Sequence, residues 1–329
     1  MSGNPQLLYA VKYFIHKANP KGKYFNHTSF NKLLIELYLR LKEKGLDIKL
    51  PYCWYRHGGL VDSPVFQSVT GIPLTLFAPP DKSVISIPKL PIPEDISDGE
   101  ARLIQEETQG LLAEHPTRDY LEYNQQERYV NLNYQRAPLK FQVEFRRSLI
   151  PHLEYLNNRN LLHRGHNSAV SDPWSIRTID RDEELDLMVR PVSLDLSVDD
   201  QHRVIQQLDN LVRIYPREEM RELHRAYLKW DDTFRLAIKH QENLLNQAND
   251  FWEIFAYLLR VKFNDNIHEE RIREWQEIFE KELIAYREKL ENTRDRLLEL
   301  EARDVPYDIE NDKTLKKLMT ISREMALER

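Results

Sequence analysis

Residues 272–300 read IREWQEIFEKELIAYREKLENTRDRLLEL, and this stretch decides the fold. Positions 272, 275, 279, 283, 286, 290, 293, 297 and 300 follow one another by threes and fours, with one slip. All are apolar or aromatic except Thr293. Such spacing lays the side chains along one narrow stripe of a helix, of coiled-coil type. A stripe of this kind must be covered. The simplest cover is the preceding segment, folded back to make an antiparallel helical hairpin. That segment reads as one long helix from Glu218 to about Phe263, with Asn264-Asp265-Asn266 as the break.

Upstream, Gln201 to Tyr215 reads as a helix ended by Pro216. Asn157 to Leu196 is polar and interrupted by Asp172-Pro173 and Arg190-Pro191, so a long irregular loop is expected there. Helices are expected over Thr117 to Arg136 and Pro138 to Leu156. In the second, Phe141, Phe145, Leu149, Leu153 and Leu156 fall in register. Ser97-Asp98-Gly99-Glu100 has the pattern of a capping box and opens another helix. Six prolines between Ile72 and Pro93 break any amphipathic pattern. An extended linker is expected here, with Val84-Ile85-Ser86-Ile87 as a small strand inside it.

At the start of the chain, apolar residues at 7, 8, 11, 14, 15 and 18 share one helical face, which Asn19-Pro20 ends. A second helix begins around Asn26 to Ser29 and runs through Phe30, Leu33, Leu34, Leu37, Tyr38 and Leu41, with Gly45 at its C-cap. Asp47 to Arg56 reads as extended, His57-Gly58-Gly59 as a turn, and Ser63-Pro64 as the start of a short helix. The last 25 residues are amphipathic but short.

The expected fold is therefore mainly α. An N-terminal helical module with a small extended or β element covers residues 1–71. A Pro-rich linker covers 72–96, a middle helical region with a long loop covers 97–196, and a C-terminal helical hairpin or coiled-coil region covers 197–329. Composition agrees: 9 glycines in 329 residues and 30% charged side chains favour helices over a turn-rich β fold.

Several chemistries are excluded by motif. No phosphate-binding glycine loop and no dinucleotide fingerprint occurs, since both need glycines for close backbone approach. No Gly-x-Ser-x-Gly elbow occurs either. The one cysteine, Cys53, lies between aromatic residues and reads as a buried, inert thiol. His163 and His166 have no adjoining Cys or Glu and read as part of a polar loop. No catalytic residue, metal or cofactor is expected. No stretch approaches 18 apolar residues and no secretory signal opens the chain, so no membrane partner and a cytoplasmic location are expected.

Charge is uneven. Residues 1–60 hold ten Lys/Arg against three Asp/Glu, a balance of +7, which leaves −13 for the remainder of a chain whose net charge is −6. Such asymmetry marks either a basic contact surface or a basic module docked on an acidic one. The candidate contact residues are Lys21, Lys23, Tyr24, Lys49, Trp54, Tyr55, Arg56 and His57. Cations interleaved with aromatics suit nucleic acid, where the former meet phosphate and the latter stack on bases. They equally suit protein recognition, where Tyr, Trp and Arg dominate. The third reading is structural: aromatics in the core and lysines in solvent.

Phe30 to Tyr38, then Gly45, then Cys53-Trp54-Tyr55-Arg56-His57-Gly58 and Ser63-Pro64-Val65-Phe66 resemble the Panacea-type antitoxin domain over about residues 27–66. Where that family has Gly-Pro at the turn, this chain has Gly58-Gly59. The resemblance implies a helical module that neutralises a protein toxin by direct binding in prokaryotic toxin–antitoxin or phage-defence loci. It also implies that Trp54, Tyr55, Arg56, His57 and Gly58 belong to the module's signature. The leading expectation is a non-enzymatic protein-binding role. The partner is a toxin-like protein, or a second copy through the C-terminal hairpin. A winged-helix-like DNA-binding regulator, with nucleic acid as partner, is the alternative. A metal-dependent nuclease with a scattered site is the third.

Overall fold

The computed structural model describes residues 4–18, 24–72, 75–77, 84–86, 96–115, 126–163, 196–242 and 244–304. Among these the chain is mainly helical, with two small three-stranded antiparallel sheets. The expected α class is borne out.

Helix α1 (Pro5–Ala18) buries Leu7, Ala10, Val11, Phe14 and Ala18, the stripe its sequence lays out. Strand β1 (Tyr24–Asn26) leads into α2 (His27–Glu43). Helix α2 ends in a Schellman closure: Leu46 N–H donates to the Leu41 carbonyl and Gly45 N–H to that of Lys42, with Gly45 at φ 88°. Strands β2 (Tyr52–Tyr55) and β3 (Gly58–Val61) then form a hairpin, and α3 (Ser63–Thr70) follows. The Asp62 carboxylate caps α3 by accepting from Val65 N–H at 3.1 Å.

Strands β4 (Thr75–Phe77) and β5 (Val84–Ser86) pair with each other, and β5 pairs with β1. The strand expected at 84–87 thus exists over 84–86. The Pro-rich segment, expected as an extended linker with one small strand inside it, contributes two strands to a sheet.

Helix α4 (Asp98–Glu114) begins with the expected capping box, Ser97 and Glu100 bonding reciprocally. It packs against α1 and α2. Helix α5 (Gln126–Tyr134) lies within the expected Thr117–Arg136, of which 117–125 lie outside the described residues. Helices α6 (Lys140–Glu144) and α7 (Ile150–His163) are joined through a π-helical turn, Phe145–Leu149, in which Ile150 N–H reaches back to the Phe145 carbonyl. Pro151 is the physical cause. It lacks an N–H, and its ring would strike the carbonyl four residues back, so the helix widens one turn earlier. The helix also extends to His163, past the expected loop start at Asn157.

Helix α8 (Val198–Ile214) opens on a second capping box, Ser197 with Asp200. The expected long helix over 218–263 is two helices, α9 (His224–Lys239) and α10 (Leu244–Lys262). Another Schellman closure separates them: Glu242 N–H donates to the Ala237 carbonyl and Gln241 N–H to that of Ile238, with Gln241 at φ 54°. Only a glycine would have announced this stop, and Gln241 holds the left-handed position without one. Gln241→Gly is therefore expected to stabilise the protein by about 0.5–1 kcal/mol. Urea denaturation reads this directly, and a loss of stability would show that the glutamine side chain does more than occupy the turn.

Strand β6 (Asn264–Asp265) occupies the expected break, and α11 (Glu269–Asp304) follows. In α11, Trp275, Phe279, Leu283, Tyr286, Leu290 and Leu297 are buried, as the opening stripe requires. They pack on α10 and also on α9, so the seam is shared between two helices. Phe141, Phe145, Tyr227, Trp230, Phe251 and Phe255 fill the centre of this helical region. Among the described residues no helix is long and apolar enough to cross a membrane.

Candidate functional site

Strand β2 is the junction of the molecule. It pairs with β3 on one side and with β6 on the other, with Cys53 opposite Asn264 and Tyr52 opposite Asp265. Trp54 N–H donates to the Phe263 carbonyl at 2.8 Å, and β2 packs against α10. The hairpin that carries Trp54 to Gly58 is thereby locked to the C-terminal helices.

The sequence-predicted residues scatter. Lys21 and Lys23 lie outside the described residues. Tyr24 stands opposite Ser86 in the first sheet. Lys49 is exposed, at φ 54°, and pairs with Asp47 at 2.7 Å. Trp54 is buried and meets Tyr134 edge-on, ring centroids 6.4 Å apart. Tyr55 is half-buried beside Tyr257, with the Arg260 guanidinium 5.3 Å from its ring. Arg56 forms an ion pair with Glu253 and stands over Tyr55 and Tyr257. His57 is half-buried, with its Nδ1 enclosed and unpartnered. The structure therefore brings Trp54 to His57 together at one junction and leaves Lys49 and Tyr24 elsewhere.

Beneath the hairpin turn lies a buried polar centre that the sequence did not announce. Lys32, from α2, is 4% exposed and donates to the Gly59 carbonyl at 2.7 Å. Asn133, from α5, is fully buried, and its Oδ1 accepts from Gly59 N–H at 2.6 Å. Gln142, from α6, is also fully buried, and it and Arg146 of the π-turn lie beside the Tyr134 hydroxyl. The Arg56 carbonyl accepts from Trp252 Nε1 at 3.0 Å and from Tyr134 Oη at 3.3 Å. Three elements, α2, α5 and α10, thus hydrogen-bond to Arg56 and Gly59 of the turn.

Glycine is required at this turn. Gly58 sits at φ 94°, and a Cβ there would come within 2.9 Å of Asn133 Oδ1 and 3.3 Å of Lys32 Nζ. A Cβ on Gly59 would come within 2.9 Å of both Asn133 Oδ1 and Ile35 Cδ1. The signal for the centre in the sequence is faint: Lys32, Asn133 and Gln142 are three polar residues on three different helices, 110 positions apart at the extremes.

Electrostatics mark the centre. Burial drives the Lys32 ammonium from 10.5 down to about 7. Burial, then the charges of Arg146, Lys32 and Arg56, holds His57 down at about 3. Strongly shifted groups gathered at one place are a mark of functional sites, and of structural networks as well. On the other face of the hairpin, the Asp62 carboxylate, 1% exposed, meets Arg260 and Arg271 at 3.4 Å each. Cys53 between them is buried, and burial pushes its thiol up to about 12, in keeping with an inert side chain.

Among the described residues no group of three His, Cys, Asp or Glu side chains is placed to hold a metal ion. His166 lies outside them. No family model, no curated protein and no solved structure matches this chain.

Proposed function

We propose that this chain is a non-enzymatic protein-binding module, antitoxin-like in the manner of the Panacea-type domain that residues 27–66 resemble, acting in the cytoplasm on a protein partner. The observation that supports this reading is how the basic segment spends its charge. Arg40 pairs with Glu114, Lys42 with Asp265, Lys44 with Glu107 and Arg56 with Glu253. Each acid comes from far along the chain. A surface built for phosphate keeps its cations free to displace counterions. Here four of the ten cations of residues 1–60 are paired with acids from beyond residue 60, which favours the docked reading of the charge asymmetry over the nucleic-acid one.

The face offered to a protein is the outer side of the C-terminal helices. Ile284 is 67% exposed, and Ile278, Leu228 and Leu298 are also exposed among charged neighbours. A shallow depression runs along α11 at Ala285, Lys289, Thr293 and Arg296. Apolar side chains ringed by charge are the ordinary material of a recognition surface.

The test is purification of the tagged chain from its native host at moderate salt, with light scattering and mass spectrometry on the eluted species. A stoichiometric complex with one other protein is expected. A bare chain, a homo-oligomer alone, or bound nucleic acid shed as salt rises would each overturn the reading.

A further inference from the structure

One residue of the hairpin turn is gripped from two helices. Lys32 of α2 donates to the Gly59 carbonyl at 2.7 Å, and Asn133 of α5 accepts from Gly59 N–H at 2.6 Å. Asn31, beside Lys32, accepts from Val61 N–H at 2.8 Å. On the side of β3 away from β2, these three side chains make the bonds that a neighbouring strand would make. Helix α5 closes over the grip. Tyr134 donates to the Arg56 carbonyl at 3.3 Å and meets Trp54 edge-on, and Arg136, just past the helix, reaches Glu36 and Glu43 of α2. The packing is close, since a Cβ on Gly58 or Gly59 would come within 2.9 Å of Asn133 Oδ1.

The charge around the grip is one-sided. Lys32 is buried and has no carboxylate partner among the described residues. His57 and Arg56 on the turn and Arg146 on the π-turn are basic groups nearby. The acids are held elsewhere. Glu36, one turn along α2, is held by Arg40 and Arg136, Glu253 of α10 by Arg56, and Asp62 by Arg260 and Arg271. Glu154 of α7 faces Arg146. The Cys53 thiol, which faces Lys32, is uncharged, because burial pushes it up to about 12. An ammonium enclosed here meets like charge and no counter-charge, whereas a neutral amine makes the same bond to Gly59 without that cost.

We propose that α2, the hairpin turn and α5 form an acid-sensitive clasp, in which protonation of Lys32, joined at lower pH by His57, parts α5 from the turn while the C-terminal helices stay folded. Opening lets the amine reach water. The open form then takes its proton at the ordinary 10.5 and the closed form only at about 7. Between those values each fall in pH favours opening. The inference concerns a motion within the fold and stands apart from the protein-binding reading.

Hydrogen exchange of the full chain tests it, read by mass spectrometry as protection relative to the intrinsic rate at each pH. Residues 57–61 and helix α5 are expected to exchange at least about 10-fold faster than α10 at pH 6, as a local opening requires. Between pH 8.5 and 6 their protection is expected to fall by at least about 30-fold, the ratio that proton affinities of 10.5 and 7 impose. In Lys32→Met the fall is expected to shrink to about 4-fold, the share left to His57. Lysine side-chain resonances of the unaltered chain give a reading that needs no variant: one lysine is expected to titrate near 7. Exchange of the clasp in step with α10, fast exchange that ignores pH, an undiminished fall in Lys32→Met, or no lysine titrating below about 9 would each overturn the proposal.

Discussion

Replacing Asp62 with alanine is expected to cost about 3–5 kcal/mol of stability, the range for breaking a buried ion pair by removing one partner. The carboxylate has three duties. Its Oδ1 caps α3 through Val65 N–H, and loss of such a cap alone costs about 1 kcal/mol. Its Oδ2 faces Arg260 of α10 and Arg271 of α11 at 3.4 Å each. With Asp62 gone, Arg271 retains Glu274 at 2.6 Å. Arg260 retains the Cys53 thiol beside it and the faces of Trp275, 4.2 Å from its guanidinium, and Tyr55. A cation stacked on aromatic rings keeps about 1–2 kcal/mol of attraction and no counter-charge. Asp62→Asn separates the two contributions, because the amide keeps the cap and loses the charge. It is expected to fall between wild type and alanine. Guanidinium denaturation of all three proteins reads the series. An alanine variant within about 1 kcal/mol of wild type would mean that both arginines find new partners, and that Asp62 is a cap alone.

Much of the architecture was legible because periodicity and capping are local. The stripe from Trp275 to Leu297 needs only the spacing of its own residues, and its members are buried. Ser97 with Glu100 and Gly45 at φ 88° are signals four residues wide at most, and both appear where the sequence places them. What was missed depends on distant partners or on backbone states that no residue type advertises. Gln241 adopts a left-handed φ that glycine would have flagged. Asn264-Asp265 becomes a strand because β2 is there to receive it, across more than two hundred residues. By residue type alone the aromatic-basic segment suits a contact surface or a structural core, and only its partners decide. Trp54 is core, Arg56 meets Glu253, and His57 faces Arg146. The polar centre was illegible for the same reason. Lys32 stands between Asn31 and Leu33 with nothing nearby to mark it as buried, and its hydrogen bond goes to the hairpin turn.

That centre also fixes how stability responds to pH. Lys32 binds its proton at about 7 in the folded chain and at an ordinary 10.5 when unfolded. Between those values the unfolded chain holds more protons, so stability rises with pH. The penalty is complete below about 7 and vanishes above 10.5. His57 repeats the pattern lower down, at about 3 folded against 6.5 unfolded, so stability falls again as pH drops from 6.5 towards 3. In low-salt buffer the two effects join into one long acid-side decline, each limb on the order of 2–4 kcal/mol. Lys32→Met is expected to flatten the limb between pH 7 and 10.5 and to gain on wild type at neutral pH, less the hydrogen bond to Gly59. His57→Gln is expected to leave that limb intact and to flatten the one below 6.5. The difference between each variant and wild type is the measured quantity, since exposed carboxylates contribute to acid unfolding in all three proteins. Parallel curves would mean that neither group is desolvated as the geometry requires.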